Sequence, residues 1–156
     1  MKKSLIVLIS ILALLVIIIG YGISINNKMV NADEAVMSQW AKVENQYQRR
    51  ADLIPNLVNT VKGYASHEKE TLDAVVNARA KATQVTISPD NLNEASLQKY
   101  QAAQGELSQA LGRLLMGTEN YPDLKANQNF LELQAQLEGT ENRISTERTR
   151  YTDMVR

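Results

Sequence analysis

Apolar residues follow two different rules in the two parts of this chain. Between Leu5 and Ile25 they are continuous: LIVLISILALLVIIIGYGISI holds 21 residues and no charge. A bilayer crossing needs roughly 20 such residues, so the segment predicts one transmembrane helix. The competing reading is a cleaved signal peptide, whose apolar region is about 7–15 residues long and ends in a small-x-small site. Here the run is longer and no A-x-A follows it. The expectation is a retained anchor over residues 5–25, with residues 1–4 in the cytoplasm and residues 26–156 outside. Orientation follows from Lys2 and Lys3 ahead of the span, against Lys28 closely followed by Asp33 and Glu34, by the positive-inside bias.

After the anchor the apolar positions become periodic. Val36, Trp40, Val43, Tyr47, Arg50, Ile54, Leu57 and Val61 recur at steps of four and three, a heptad seam. Pro55 lies inside it without disturbing the phase. A proline in a helix lacks the N–H owed to the carbonyl four residues back, here that of Ala51. The pattern therefore predicts one helix over about Met29–Lys62, kinked and not ended at Pro55, with Gly63 loosening its top. Ser66 is a candidate cap for a second helix, HEKETLDAVVNARAKAT, with its seam on Leu72, Val75, Arg79 and Ala82. QVTISPDNLNE carries turn chemistry. A third helix from Asn93 to about Gly117 has its seam on Leu97, Tyr100, Gln104, Leu107, Leu111 and Leu114. YPDLK places a proline where a first helical position suits it. A fourth helix carries Phe130, Leu133, Leu137, Thr140, Ile144, Glu147 and Tyr151. The predicted fold is all-α: the transmembrane helix, then an antiparallel up-and-down four-helix bundle.

Composition narrows the chemistry. There is no cysteine and one histidine, so thiolate sites and the usual multi-histidine zinc site are excluded. Without Lys2 and Lys3, 15 basic residues face 17 acidic ones, which gives no electrostatic footprint for nucleic acid. His67–Glu68 begins like a metalloprotease motif, but H-E-x-x-H needs a second histidine where Thr71 stands. Those two residues read as a helix start. Asp90, Asn91, Asn93 and Glu94 lack the spacing of a calcium loop and read as turn and cap residues. Trp40 and Tyr47 read as core, with an interfacial role open for Trp40. Asn56, Asn59, Gln98, Gln101, Gln128, Asn129, Gln134 and Gln136 read as solvated surface, with a protein or glycan partner as the alternative. No catalytic residue, metal or cofactor is expected.

The seams also contain polar interruptions at matching depth. Arg50 lies 14 residues below Tyr64. Counting similar distances along the other three helices reaches Arg79, Gln104, and Thr140 with Glu141. This predicts a polar layer in which Arg50 pairs with Glu141, while Gln104 and Thr140 bond beside it. Glu138 is the second choice of partner for Arg50 or Arg79. Such layers fix helix register more than they add stability.

RRADLIPNLVNTVKGYASHEKETL, ARAKAT and YPDLKANQNFLELQAQLEGTENRI resemble the LemA family of bacterial membrane-anchored helical proteins, from about Val30 to Ile144 and in the anchor. The resemblance implies one N-terminal span and a four-helix antiparallel bundle in the bacterial inner membrane. It implies no assigned biochemical activity. It also implies a protein partner, membrane metalloproteases being one association within the family and membrane remodelling another. Members usually continue past the last helix through a YN segment to an FP-containing tail, whereas this sequence stops at YTDMVR. The expectation is a non-enzymatic scaffold or protein-binding module at the cell envelope. The alternatives are a hydrolase using Glu138 and Glu141, or His67 with Glu68, and a lipid-binding bundle. The first alternative needs a cleft, which a closed bundle is not expected to offer, and a pocket lined by such a carboxylate pair would favour it; the second needs a cavity, which the leucine-rich seams are expected to fill.

Overall fold

The computed structural model describes residues 2–65, 68–88 and 91–156, with side chains from Ile6 onward other than Ser10. The expected Ser66 cap, His67, Pro89 and Asp90 lie outside the described residues. Helix α1 runs without a break from Lys2 to Tyr64. At 1.5 Å per residue that is about 95 Å. The apolar segment and the first bundle helix are thus one element. Pro55 lies inside α1, and the chain does not reverse there. From Ile6 to Ile25 the described side chains are exposed on every face of the helix. The segment is long and apolar enough to cross a membrane by length and composition.

Helix α2 spans Lys69–Gln84 and begins later than the sequence suggests. Glu68 occupies the cap position without making a side-chain cap bond. Helix α3 spans Glu94–Gly117 and opens on a reciprocal capping box. Asn93 accepts from the Ser96 backbone N–H, and Ser96 Oγ accepts from that of Asn93. A 3-10 turn over Thr118–Asn120 leads into a single helical turn, α4 (Pro122–Lys125), with Pro122 at its start. Helix α5 spans Gln128–Met154 and is capped by Asn127, whose side chain accepts from Phe130 N–H.

The helices are antiparallel neighbours. Asn127 at the head of α5 bonds Tyr64 at the end of α1, while Gln39 lower on α1 bonds Glu147 lower on α5. Backbone contact is dense where α5 lies along α1 and where α3 lies along α2. It is sparse between α3 and α5. The bundle is therefore open along one side, where the sequence had suggested closure.

The seams are buried as the spacing requires, and they form two clusters. The upper one gathers Ile54, Leu57 and Val61 of α1, Leu72 and Val75 of α2, Leu107, Leu111 and Leu114 of α3, Leu124, and Phe130 and Leu137 of α5. The lower one gathers Trp40, Val43, Tyr47, Ile87, Tyr100 and Ile144. Trp40 is core and not interfacial: it packs edge-on to Tyr100 at 5.4 Å and to Tyr151 at 5.2 Å between ring centroids. Each fully buried aliphatic or aromatic side chain contributes about 1.5–3 kcal/mol. The 26–35 stretch of α1, between the apolar segment and the bundle, is exposed throughout.

Candidate functional site

The gap between the two clusters is occupied by Arg50. Its side chain is only 2% exposed, and the apolar seams above and below leave it nowhere to reach water. A buried guanidinium keeps its charge and needs acceptors for its N–H groups. Four are present. One terminal nitrogen, Nη2, donates to the Gln104 backbone carbonyl at 3.1 Å and to Gln104 Oε1 at 2.7 Å. The other, Nη1, donates to Ser108 Oγ at 2.7 Å and Glu141 Oε2 at 2.9 Å. The guanidinium carbon lies 5.1 Å from the Tyr47 ring centroid, a cation–π distance. Arg50 Nε has no acceptor.

Of the residues expected in this layer, Arg50, Gln104 and Glu141 meet. Thr140 is buried at the same level, but its hydroxyl donates to the Gln136 carbonyl one turn back in its own helix. It does not reach the arginine, because a threonine in a helix interior satisfies itself locally. Arg79 does not join the layer either. Its Nε donates to the backbone carbonyl of Ala51 at 2.7 Å, the acceptor that Pro55 cannot serve. Glu138 accepts from Gln134 on its own helix and pairs with neither arginine. Ser108 went unread, although it stands one helical turn after Gln104 and so faces the same way. The pair is also not a buried ion pair, since the Glu141 side chain is 56% exposed.

Below the layer, burial raises the titration of three groups. Burial, reinforced by the nearby Glu44 carboxylate, pushes the Tyr100 phenol far above its ordinary range. Burial also raises Tyr47, against the pull of Arg148 and Arg50. Glu44 is raised by burial, partly offset by the Trp40 indole and the Ile87 backbone. The indole N–H itself reaches no acceptor at hydrogen-bonding geometry.

Several grooves run along the bundle, and two of them gather residues singled out in the sequence. The first, of ≈290 Å³, lies on the open side between α3 and α5. Arg50 and Ser108 form its floor, Leu111, Gly112, Leu115 and Leu137 its walls, and Glu138 and Glu141 its rim. It corrects the expectation that the seams leave neither cleft nor cavity. It also contains the two carboxylates considered for hydrolysis. They stand three residues apart on one helix, hence on one wall, with Glu141 bonded to Arg50. A glycosidase pair flanks the scissile bond instead. The second groove, of ≈390 Å³, lies between α1 and α5. It collects Asn56, Asn59, Thr60, Asn129, Glu132, Leu133 and Gln136, so four of the eight amides read as scattered surface share one surface depression. Among the described residues no group of three or more His, Asp or Glu side chains is placed to hold a metal ion.

A search of curated proteins finds no match to the chain. The LemA family model matches residues 39–156, which takes in α1 from Gln39 onward, α2, α3, α5, both grooves and the Arg50 layer. The chain belongs to the LemA family.

Proposed function

We propose that this protein is a membrane-anchored, non-enzymatic bundle that holds a protein-binding surface at a set height above the bacterial inner membrane. Residues 5–25 cross the bilayer, the N-terminus is cytoplasmic, and residues 26–156 stand outside. The observation that carries the reading is the continuity of α1 from Lys2 to Tyr64. From Ile6 to Ile25 it carries no charge, and its described side chains are exposed on every face, as those of a lipid-facing helix are. Its last third is the spine on which α2 and α5 pack. A rigid helix between them transmits position. From Ile25 to the tip at Tyr64 is 39 residues, or about 58 Å at 1.5 Å each.

Binding, not catalysis, fits the polar centre. Four of the five N–H groups of Arg50 are engaged by the protein itself, which suits a register device. What faces solvent are grooves along helix pairs, the usual form of a helix-recognition surface.

The chain has no cysteine, so Asp73→Cys on the exposed face of α2 gives a single thiol. In intact spheroplasts an impermeant maleimide is expected to label it, and N-terminal sequencing of the membrane-extracted protein is expected to start ahead of Leu5. Labelling only after lysis overturns the orientation. A mature start near Asn26 overturns the anchor.

A further inference from the structure

We infer that the groove between α3 and α5 is the docking site for a helix of another protein, apolar on one face and bordered by lysine or arginine. The inference rests on reading the chain as a binding module and names the surface that binds.

Three observations converge on this groove. The first is its apolar walls. Backbone contact between α3 and α5 is sparse, and Leu111, Leu115 and Leu137 line the groove between them. Leu111 and Leu137 are themselves core residues at 7% exposure, so with the partly buried Leu115 they form an apolar cleft and not a bare helix face.

The second is Gly112, in the interior of α3 and in the groove wall. A glycine there costs about 1 kcal/mol relative to alanine. A Cβ at this position meets nothing within 4 Å, as is also true at Gly105 and Gly139 of the same two helices, so packing within the chain does not explain it; of the three, Gly112 is the one that lines the groove. A missing side chain lets another backbone come close, which an incoming helix requires.

The third is charge. The rim carries the Glu138 and Glu141 carboxylates against the single Arg50 guanidinium. The excess is negative, which attracts a basic margin and repels a carboxylate. This argues against a fatty acid and against an acidic helix. The floor adds a polar feature of its own: Arg50 is 2% exposed, and its Nε–H is unmatched. An unmet buried donor is costly, and a polar group carried in by a partner is one way to meet it.

The test uses the full chain in its native membrane. A photo-crosslinking residue replaces Gly112, and in separate variants Asn77 on the outer face of α2 or Asn59 in the amide-lined groove. Crosslinked segments are sequenced by mass spectrometry. At position 112 the expected product is a segment with aliphatic residues at helical spacing and lysine or arginine beside them. Adding Glu138→Lys is expected to lower its yield roughly fivefold or more. Crosslinking at 112 to lipid, to a second copy of this chain or to an acidic segment overturns the inference, as does no crosslink. A protein crosslinked at 59 or 77 but not at 112 overturns it while leaving the binding-module reading intact. No protein at any of the three positions overturns both. Gly112→Ala supplies the check on folding. Its melting temperature is expected to equal or exceed that of the parent, and a clear fall would show that the chain itself needs the glycine.

Discussion

Arg79 and Pro55 make a sharp test of the packing, because the structure assigns them one shared carbonyl. Pro55 has no N–H for the oxygen of Ala51. Ala51 is 3% exposed, so water is a poor substitute. Arg79 crosses from α2 and donates from Nε at 2.7 Å. Replacing Arg79 by methionine keeps most of the aliphatic stem and removes the donor. A buried acceptor left unmet costs about 1–3 kcal/mol, and Arg79 is partly exposed, so about 1–2 kcal/mol is expected. Pro55→Ala supplies the missing backbone N–H from within α1. In that background the same Arg79→Met change is expected to cost at most about 0.5 kcal/mol, since the carbonyl is already satisfied. The four variants of the full chain, unfolded with urea in mild detergent, are expected to give a coupling energy of about 0.5–2 kcal/mol. The sign matters as much as the size: removing the proline should make the arginine dispensable. Equal costs of Arg79→Met in the two backgrounds would show that the arginine serves something other than the carbonyl that Pro55 leaves bare.

Three further outcomes follow from the same contacts. At Arg50, Gln104→Leu removes the Oε1 acceptor of one N–H inside the core, while the backbone carbonyl bond stays, and is expected to cost about 1–3 kcal/mol. Glu141→Gln, at a side chain 56% exposed, is expected to cost about 1 kcal/mol or less. Urea titrations ranking them in the opposite order would refute the reading of Glu141 as a rim partner. Asn93→Ala breaks the capping box of α3 and is expected to lower stability by about 1 kcal/mol, read as a shift in the melting temperature; no shift would mean the cap is redundant. Burial raises the Glu44 carboxyl above its ordinary value of 4.5, so the folded state holds that proton more tightly than the unfolded one. Stability from this group is present below pH 4.5 and is lost as the pH rises through the raised value. Glu44→Gln is therefore expected to melt higher than the parent at pH 7 and to lose that advantage in acid, whereas a constant difference across pH would exclude the linkage.

Most of the fold was legible because burial in a helical bundle follows spacing. Every α1 seam residue from Trp40 to Val61 is buried, and the phase survived Pro55 because the helix did. The cap at Asn93 was legible from residue type, since it accepts an N–H three residues on; Asn127 caps α5 in the same way without having been singled out. The start of α2 was not. Ser66 looked like a cap by its neighbours, whereas α2 begins at Lys69 with Glu68 in the cap position. That choice depends on what holds Glu68, and its carboxylate is taken by Tyr121 and Thr71. The first of these contacts spans 53 residues, a separation that local sequence does not encode.

The polar layer shows where counting succeeds and where it stops. Distance from a turn gives the depth of a residue in a bundle, because all four helices rise 1.5 Å per residue. Depth brought Arg50, Gln104 and Glu141 to one level, and they meet. Thr140 lies at the same depth and Arg79 close to it, and neither joins. What separates them is the direction each side chain takes around its helix and the nearer acceptor it finds there. Thr140 finds the carbonyl of Gln136; Arg79 finds the carbonyl of Ala51. Both acceptors are backbone atoms, which a reading based on side-chain types does not weigh. The open side between α3 and α5 was missed for a related reason. A heptad seam states that a face is buried, but not how many helices bury it. Leu111 and Leu137 satisfy the pattern, and are buried, in a bundle with a groove as well as in a closed one. No single residue marks the groove in the sequence either, because Gly105, Gly112 and Gly139 are all helix-interior glycines with open space beside them, and only the fold puts Gly112 in the groove wall.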